Sequence, residues 1–112
     1  GKNLAQEVVD LYLGEAPRFL ERMRQATERG DWGEVKKVAH SLKGSSRHVG
    51  GMRLAMLCQE LEAAAAAGRG SETDAMRERV VAEHRALKEV LLRDYRPGVE
   101  SEMTLAGAAT TP

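Results

Sequence analysis

A single cysteine, Cys58, in 112 residues excludes an internal disulfide framework and suits a reducing compartment. Aromatic residues are almost as scarce. Tyr12, Phe19, Trp32 and Tyr95 are the whole set, 4% of the chain, so a core has to be built from Ala, Leu, Val and Met. No apolar run approaches the roughly 20 residues that span a bilayer, and no charged-then-apolar leader opens the chain. The expectation is a cytoplasmic domain without direct membrane contact. There is no excess of either charge, with 17 Lys plus Arg against 17 Asp plus Glu. That balance argues against a nucleic-acid module, whose affinity comes largely from basic groups displacing counterions on phosphate. No G-x-x-x-x-G-K-[ST] loop is present, so nothing supports ATP binding.

What the sequence does hold is 42% hydrophobic and 30% charged residues, rich in Ala, Leu, Glu and Arg. These side chains lose little freedom in a helix. Hydrophobic periodicity and turn signals predict five helices. The first covers residues 3–13, with Leu4, Val8 and Leu11 on one stripe, and Gly14 interrupts it. Pro17, tolerated in a first turn, opens a second over residues 15–29, with Ala16, Phe19, Leu20, Met23 and Ala26 inward. Gly30 fits a C-terminal stop. Asp31 with Glu34 forms a capping-box pattern for a third helix over residues 32–48. After Gly50 and Gly51, a fourth helix over residues 52–67 carries Leu54, Leu57, Cys58 and Leu61. Ser71 with Asp74 caps a fifth over residues 72–95, with Met76, Val80, Leu87 and Leu91 inward, and Pro97-Gly98 ends it.

Short turns between amphipathic helices imply an all-α, antiparallel up-and-down four-helix bundle, the short additional N-terminal helix acting as a lid. One domain is expected over residues 1–96, and residues 97–112, rich in Thr, Ala and Gly, read as a disordered tail or linker. That tail and the missing initiator methionine suggest an excised or processed piece of a longer chain.

The third predicted helix has an unusual outer face. Trp32, Val35, Val38, Ala39 and Leu42 form its inward stripe. Lys36, His40, Lys43, Gly44 and Arg47 share the other side, at offsets of −4, 0, +3, +4 and +7 from the histidine. Gly44 is the oddity, because glycine inside a helix costs about 1 kcal/mol relative to alanine. Either the Gly44-Ser45-Ser46 run frays or bends the helix, or the missing side chain lets another protein's backbone approach His40. The neutral total also conceals a division. Residues 31–56 carry five bases and two acids, and residues 57–103 carry seven bases and ten acids.

Residues 39–46 read Ala-His-Ser-Leu-Lys-Gly-Ser-Ser, followed by Gly50, Leu54, Cys58, Leu61 and Glu62. This resembles the histidine-containing phosphotransfer domain of bacterial multistep two-component signalling, with its A-H-x-L-K-G-S-S motif, later glycine and C-x-x-L-E helix. The likeness extends from Leu4 to Tyr95 and includes Ala16-Pro17 and Gly30-Asp31-Trp32. It implies a four-helix bundle with a phosphorylated histidine midway along an exposed helix, the position of His40. On its own, Glu62 reads as a solvated helix charge. The resemblance makes it the group that orients the imidazole, fixing the tautomer and raising the basicity of the attacking nitrogen. Lys43, one turn from His40, can approach a phosphoryl oxygen as a mobile point charge.

Gly44 and Ser45, with Lys36 and Arg47 as steering charges, are the expected partner-binding positions. The partner implied is a response-regulator receiver domain, with a histidine kinase upstream and a hybrid sensor kinase as the parent chain. The phosphocarrier so implied has no kinase activity and no cofactor of its own, Mg²⁺ residing on the receiver. The alternative is a helical interaction or scaffold module whose histidine is never phosphorylated. His48, His84 and Cys58 lack the i, i+4 spacing of a helical metal site, and Cys58 falls in an apolar stripe as a packed thiol.

Overall fold

The computed structural model describes residues 3–95. They form α1 (Leu4–Glu28), α2 (Trp32–His48), α3 (Met52–Ala66) and α4 (Gly70–Asp94). Three-residue connections force each helix to run antiparallel to the one before it. Each helix packs on its sequence neighbours, and α1 closes the ring against α4. The all-helical, up-and-down bundle expected from the sequence is what the chain adopts. The expected tail, residues 97–112, lies outside the described residues.

The additional N-terminal helix is not a separate element. It is the first half of α1, which runs for 25 residues through Gly14 and Pro17. Pro17 removes one ladder hydrogen bond, and Gly14 is a poor helix former. Val9, Tyr12 and Ala16 are nevertheless buried in one stripe with Met23 and Ala26, so packing across both halves outweighs the local penalties. Continuity also sets the helix phase. Counting back from Ala16 places Tyr12 and Val9 inward, leaving Leu4 75% and Leu11 60% exposed, against the predicted inward stripe. Val8 is half-buried. The helix opens on a capping box: Asn3 Oδ1 accepts from the Gln6 amide at 2.8 Å, and Gln6 Oε1 accepts from the Asn3 amide at 3.3 Å.

Asp31 caps α2 as expected, accepting from the Glu34 amide at 3.1 Å. The Glu34 carboxylate does not complete the box and turns to Arg22 of α1 at 2.6 Å. Gly30 and Gly50 hold φ of 68° and 76°, values open mainly to glycine, and so reverse the chain after α1 and α2. α4 begins at Gly70, earlier than Ser71 and Asp74 suggest, with no side-chain cap. The Thr73 amide already donates to the Arg69 carbonyl at 2.8 Å, so the first turn closes without Ser71.

The core joins Val35, Val38, Ala39 and Leu42 of α2 to Leu54, Leu57, Cys58 and Leu61 of α3, with Val80 and Leu91 of α4. Trp32, Phe19, Leu20, Met76 and Leu87 pack partly buried around it. Because α2 turns its Val35–Leu42 stripe inward, His40, one residue on from Ala39, emerges between α1 and α3.

Candidate functional site

His40 sits in the middle of α2, and its side chain is 71% exposed. One ring nitrogen faces inward: Nδ1 lies 3.4 Å from Glu62 Oε1 on α3. The antiparallel pairing of α2 with α3 brings Glu62 there. The same oxygen lies 2.9 Å from Lys43 Nζ. Glu62 and Lys43 are only 17% and 14% exposed, so their attraction is screened less than a surface pair's. Oε1 is itself buried and receives no aligned hydrogen bond. Charge alone holds it, and it stays open to a donor from Nδ1. Contacts of this kind are often long in a resting site and tighten when the reacting partner arrives.

Beside His40, a cleft of about 590 Å³ is lined by Arg22, Lys36, Lys37, His40, Ser41 and Glu62, and Lys43 is not part of that lining. Lys36 and Lys37 are exposed and make no ion pair among the described residues, whereas Arg22 is engaged by Glu34 at 2.6 Å. Arg47 is exposed in the last turn of α2, about two helical turns, roughly 10 Å, from His40. Gly44 is half-buried, and a Cβ there would meet nothing within 4 Å. Internal packing therefore does not require this glycine. The helix does not fray either, since α2 continues to His48. Ser45 is half-buried beside Gly44. Ser46 is buried, and its hydroxyl donates to the Lys43 carbonyl at 2.9 Å.

The geometry brings together His40, Lys43, Glu62 and Lys36 and leaves Arg47 apart. Lys37, Ser41 and Arg22 were missed. The first had a signal, since offset −3 shares the histidine's face as much as −4 does. Ser41 is simply the residue after His40. Arg22 had none, because its place follows from how α1 packs on α2.

Beneath the site, Cys58 is buried, and its thiol is pushed up to about 12 by desolvation and by the nearby Glu62 charge. It is a packed, protonated group. Among the described residues, no three His, Cys, Asp or Glu side chains gather as a metal site. The other histidines are dispersed. His48 lies exposed at the end of α2 beside Leu4, Val8 and Tyr95, and His84 is buried against Tyr12.

An exposed imidazole with a carboxylate against one nitrogen and free cations beside it is suited to an anionic electrophile. With a proton on Nδ1, the outer Nε2 would carry the lone pair. The Hpt domain family model matches residues 7–93. No curated protein and no solved structure matches the chain. No helix among the described residues is long and apolar enough to cross a membrane.

Proposed function

The chain belongs to the Hpt domain family, the histidine phosphotransfer modules of two-component signalling, and from that premise we propose that His40 is the phosphoacceptor. In this reading it relays a phosphoryl group between receiver-domain aspartates, or takes it from a histidine kinase. The observation that carries the proposal is the placing of Nδ1 3.4 Å from Glu62 on a side chain that is 71% exposed. That arrangement orients the ring and leaves Nε2 for the partner.

Neutral imidazole attacks the phosphorus of a receiver's aspartyl phosphate. The Nε2–P bond forms as the P–O bond to aspartate breaks and the carboxylate leaves. The ring gains positive charge, which the Nδ1 proton shares with the Glu62 carboxylate. The return step reverses these changes. Transfer of this kind is mostly positioning and electrostatics. A receiver supplies Mg²⁺ and its own lysine, so the carrier needs neither nucleotide nor metal. The receiver docks over Gly44 and Ser45, where the surface is open, and Lys36 and Arg47 steer its acidic pocket. The setting is cytoplasmic, within a hybrid sensor kinase.

Incubation with a ³²P-phosphorylated receiver should place an acid-labile, base-stable label on the chain. His40→Gln should abolish it without changing the thermal unfolding curve. Label retained in that variant rejects the assignment.

A further inference from the structure

The four cations around His40 are not equivalent. Lys43 Nζ lies 2.9 Å from Glu62 Oε1, and its side chain is 14% exposed. To leave, it would strand a half-buried carboxylate. Lys43 does not line the cleft beside the histidine, whereas Lys36 and Lys37 do, one turn before it on the same helix. Arg22 also lines the cleft but is held by Glu34. Long helical side chains lean toward the N-terminus. By that rule the imidazole reaches back over the turn carrying Lys36 and Lys37, while the Lys43 ammonium ends on Glu62, at 2.9 Å.

We infer that the two sides of His40 divide the work: Lys43 acts through Glu62 as a positioning residue, and Lys36 and Lys37 supply the cation that meets the phosphoryl group on Nε2. This rests on the carrier reading above and reassigns the phosphoryl contact that the sequence suggests for Lys43. A phosphoryl dianion on Nε2 then faces exposed ammonium groups that break no ion pair among the described residues to reach it. The Lys43–Glu62 pair remains intact and keeps the carboxylate against Nδ1.

Inorganic phosphoramidate tests this without a receiver, so docking does not enter. Nε2 attacks its phosphorus, the Nε2–P bond forms, the original P–N bond breaks and ammonia leaves. Lys36→Ala/Lys37→Ala should slow uptake about tenfold, the size of one charge-assisted contact, by the same factor with Glu62 or with Glu62→Gln. Lys43→Met should slow uptake with Glu62 present and add nothing to Glu62→Gln, a non-additivity that marks action through a shared partner. Lys43→Arg should restore the rate. Imidazole ¹⁵N shifts supply a second readout. Lys43→Met should weaken the preference for the proton on Nδ1, and Lys36→Ala/Lys37→Ala should leave it unchanged. The inference is overturned if Lys43→Met slows uptake equally in both backgrounds while Lys36→Ala/Lys37→Ala matches wild type. A wild-type chain that takes no label on His40 overturns the carrier reading itself, and this division with it.

Discussion

His40 and His84 carry the same ring into opposite surroundings. His40 stands out from α2 with one nitrogen toward a carboxylate and the other toward solvent. His84 is 6% exposed on α4, and its Nδ1 lies 2.7 Å from the Tyr12 hydroxyl of α1. Burial raises the Tyr12 pKa well above its ordinary value and lowers that of His84. A protonated phenol and a neutral imidazole therefore share the hydrogen bond, with the imidazole tautomer setting which of them donates. In the proposed reading one histidine reacts, while the other fastens α1 to α4, which also meet in a tilted ring contact with centroids 5.6 Å apart. The teaching is that a ring's neighbours, more than its residue type, decide its use. An exposed ring with a free nitrogen can meet a partner, whereas a buried ring tied to a phenol cannot.

The sharpest way to break this comparison is to exchange the losses. His40→Gln should remove all phosphoryl uptake and leave stability within about 0.5 kcal/mol, as for most exposed positions. His84→Ala should do the reverse. It removes a buried ring and leaves the Tyr12 hydroxyl without its partner, costing about 2–4 kcal/mol. Urea unfolding would show this as a lower midpoint at unchanged slope, with labelling retained at temperatures where the variant is folded. Loss of labelling in folded His84→Ala would mean that the two rings are coupled and the contrast is false.

The contrast was only half legible in the sequence. His40 announced itself through the run from Ala39 to Ser46 and through the helical offsets of Lys36, Lys43 and Gly44, all local spacing on one helix. Glu62 lies on another helix and became meaningful only through the family pattern. The Tyr12–His84 bond joins residues 72 positions apart, and no periodicity reports which core positions face each other across a bundle. No local spacing marks Tyr12 as the partner of His84. The same blindness hid the continuity of α1. Gly14 and Pro17 are local breakers, whereas the buried stripe that overrides them is formed with other helices.

Two glycines sharpen the comparison at smaller cost. On the buried side, a Cβ on Gly51 would lie 2.7 Å from Leu87 Cδ2 and 3.1 Å from the Ser46 carbonyl oxygen. Gly51→Ala should therefore destabilise by about 1–3 kcal/mol through overpacking. On the exposed side Gly44 has open space, and Gly44→Ala should stabilise the helix by about 0.5–1 kcal/mol. Gly44→Trp should keep the fold and slow transfer from a phosphorylated receiver while leaving uptake from phosphoramidate unchanged. Equal receiver transfer rates for Gly44→Trp and wild type would remove Gly44 from the docking surface.

The smallest effect concerns pH and isolates His84 from the other titrating groups. Its pKa is lowered from the ordinary 6.5 by burial first, and then by the charges of Lys88 and Arg85. Between the folded value and 6.5 the unfolded chain binds more protons than the folded one, so stability rises with pH across that window. The contribution is fully present above 6.5 and is lost as pH falls through the folded value. Protonation adds a buried positive charge near those of Lys88 and Arg85. His84→Leu fills the site with an apolar group that cannot titrate. Its urea midpoint should change less than that of wild type between pH 7.5 and 5.5. Parallel pH profiles for the two proteins would show that the buried ring's proton is not linked to folding. The bond to Tyr12 would then be a matter of shape, and its loss would be felt only through the cavity.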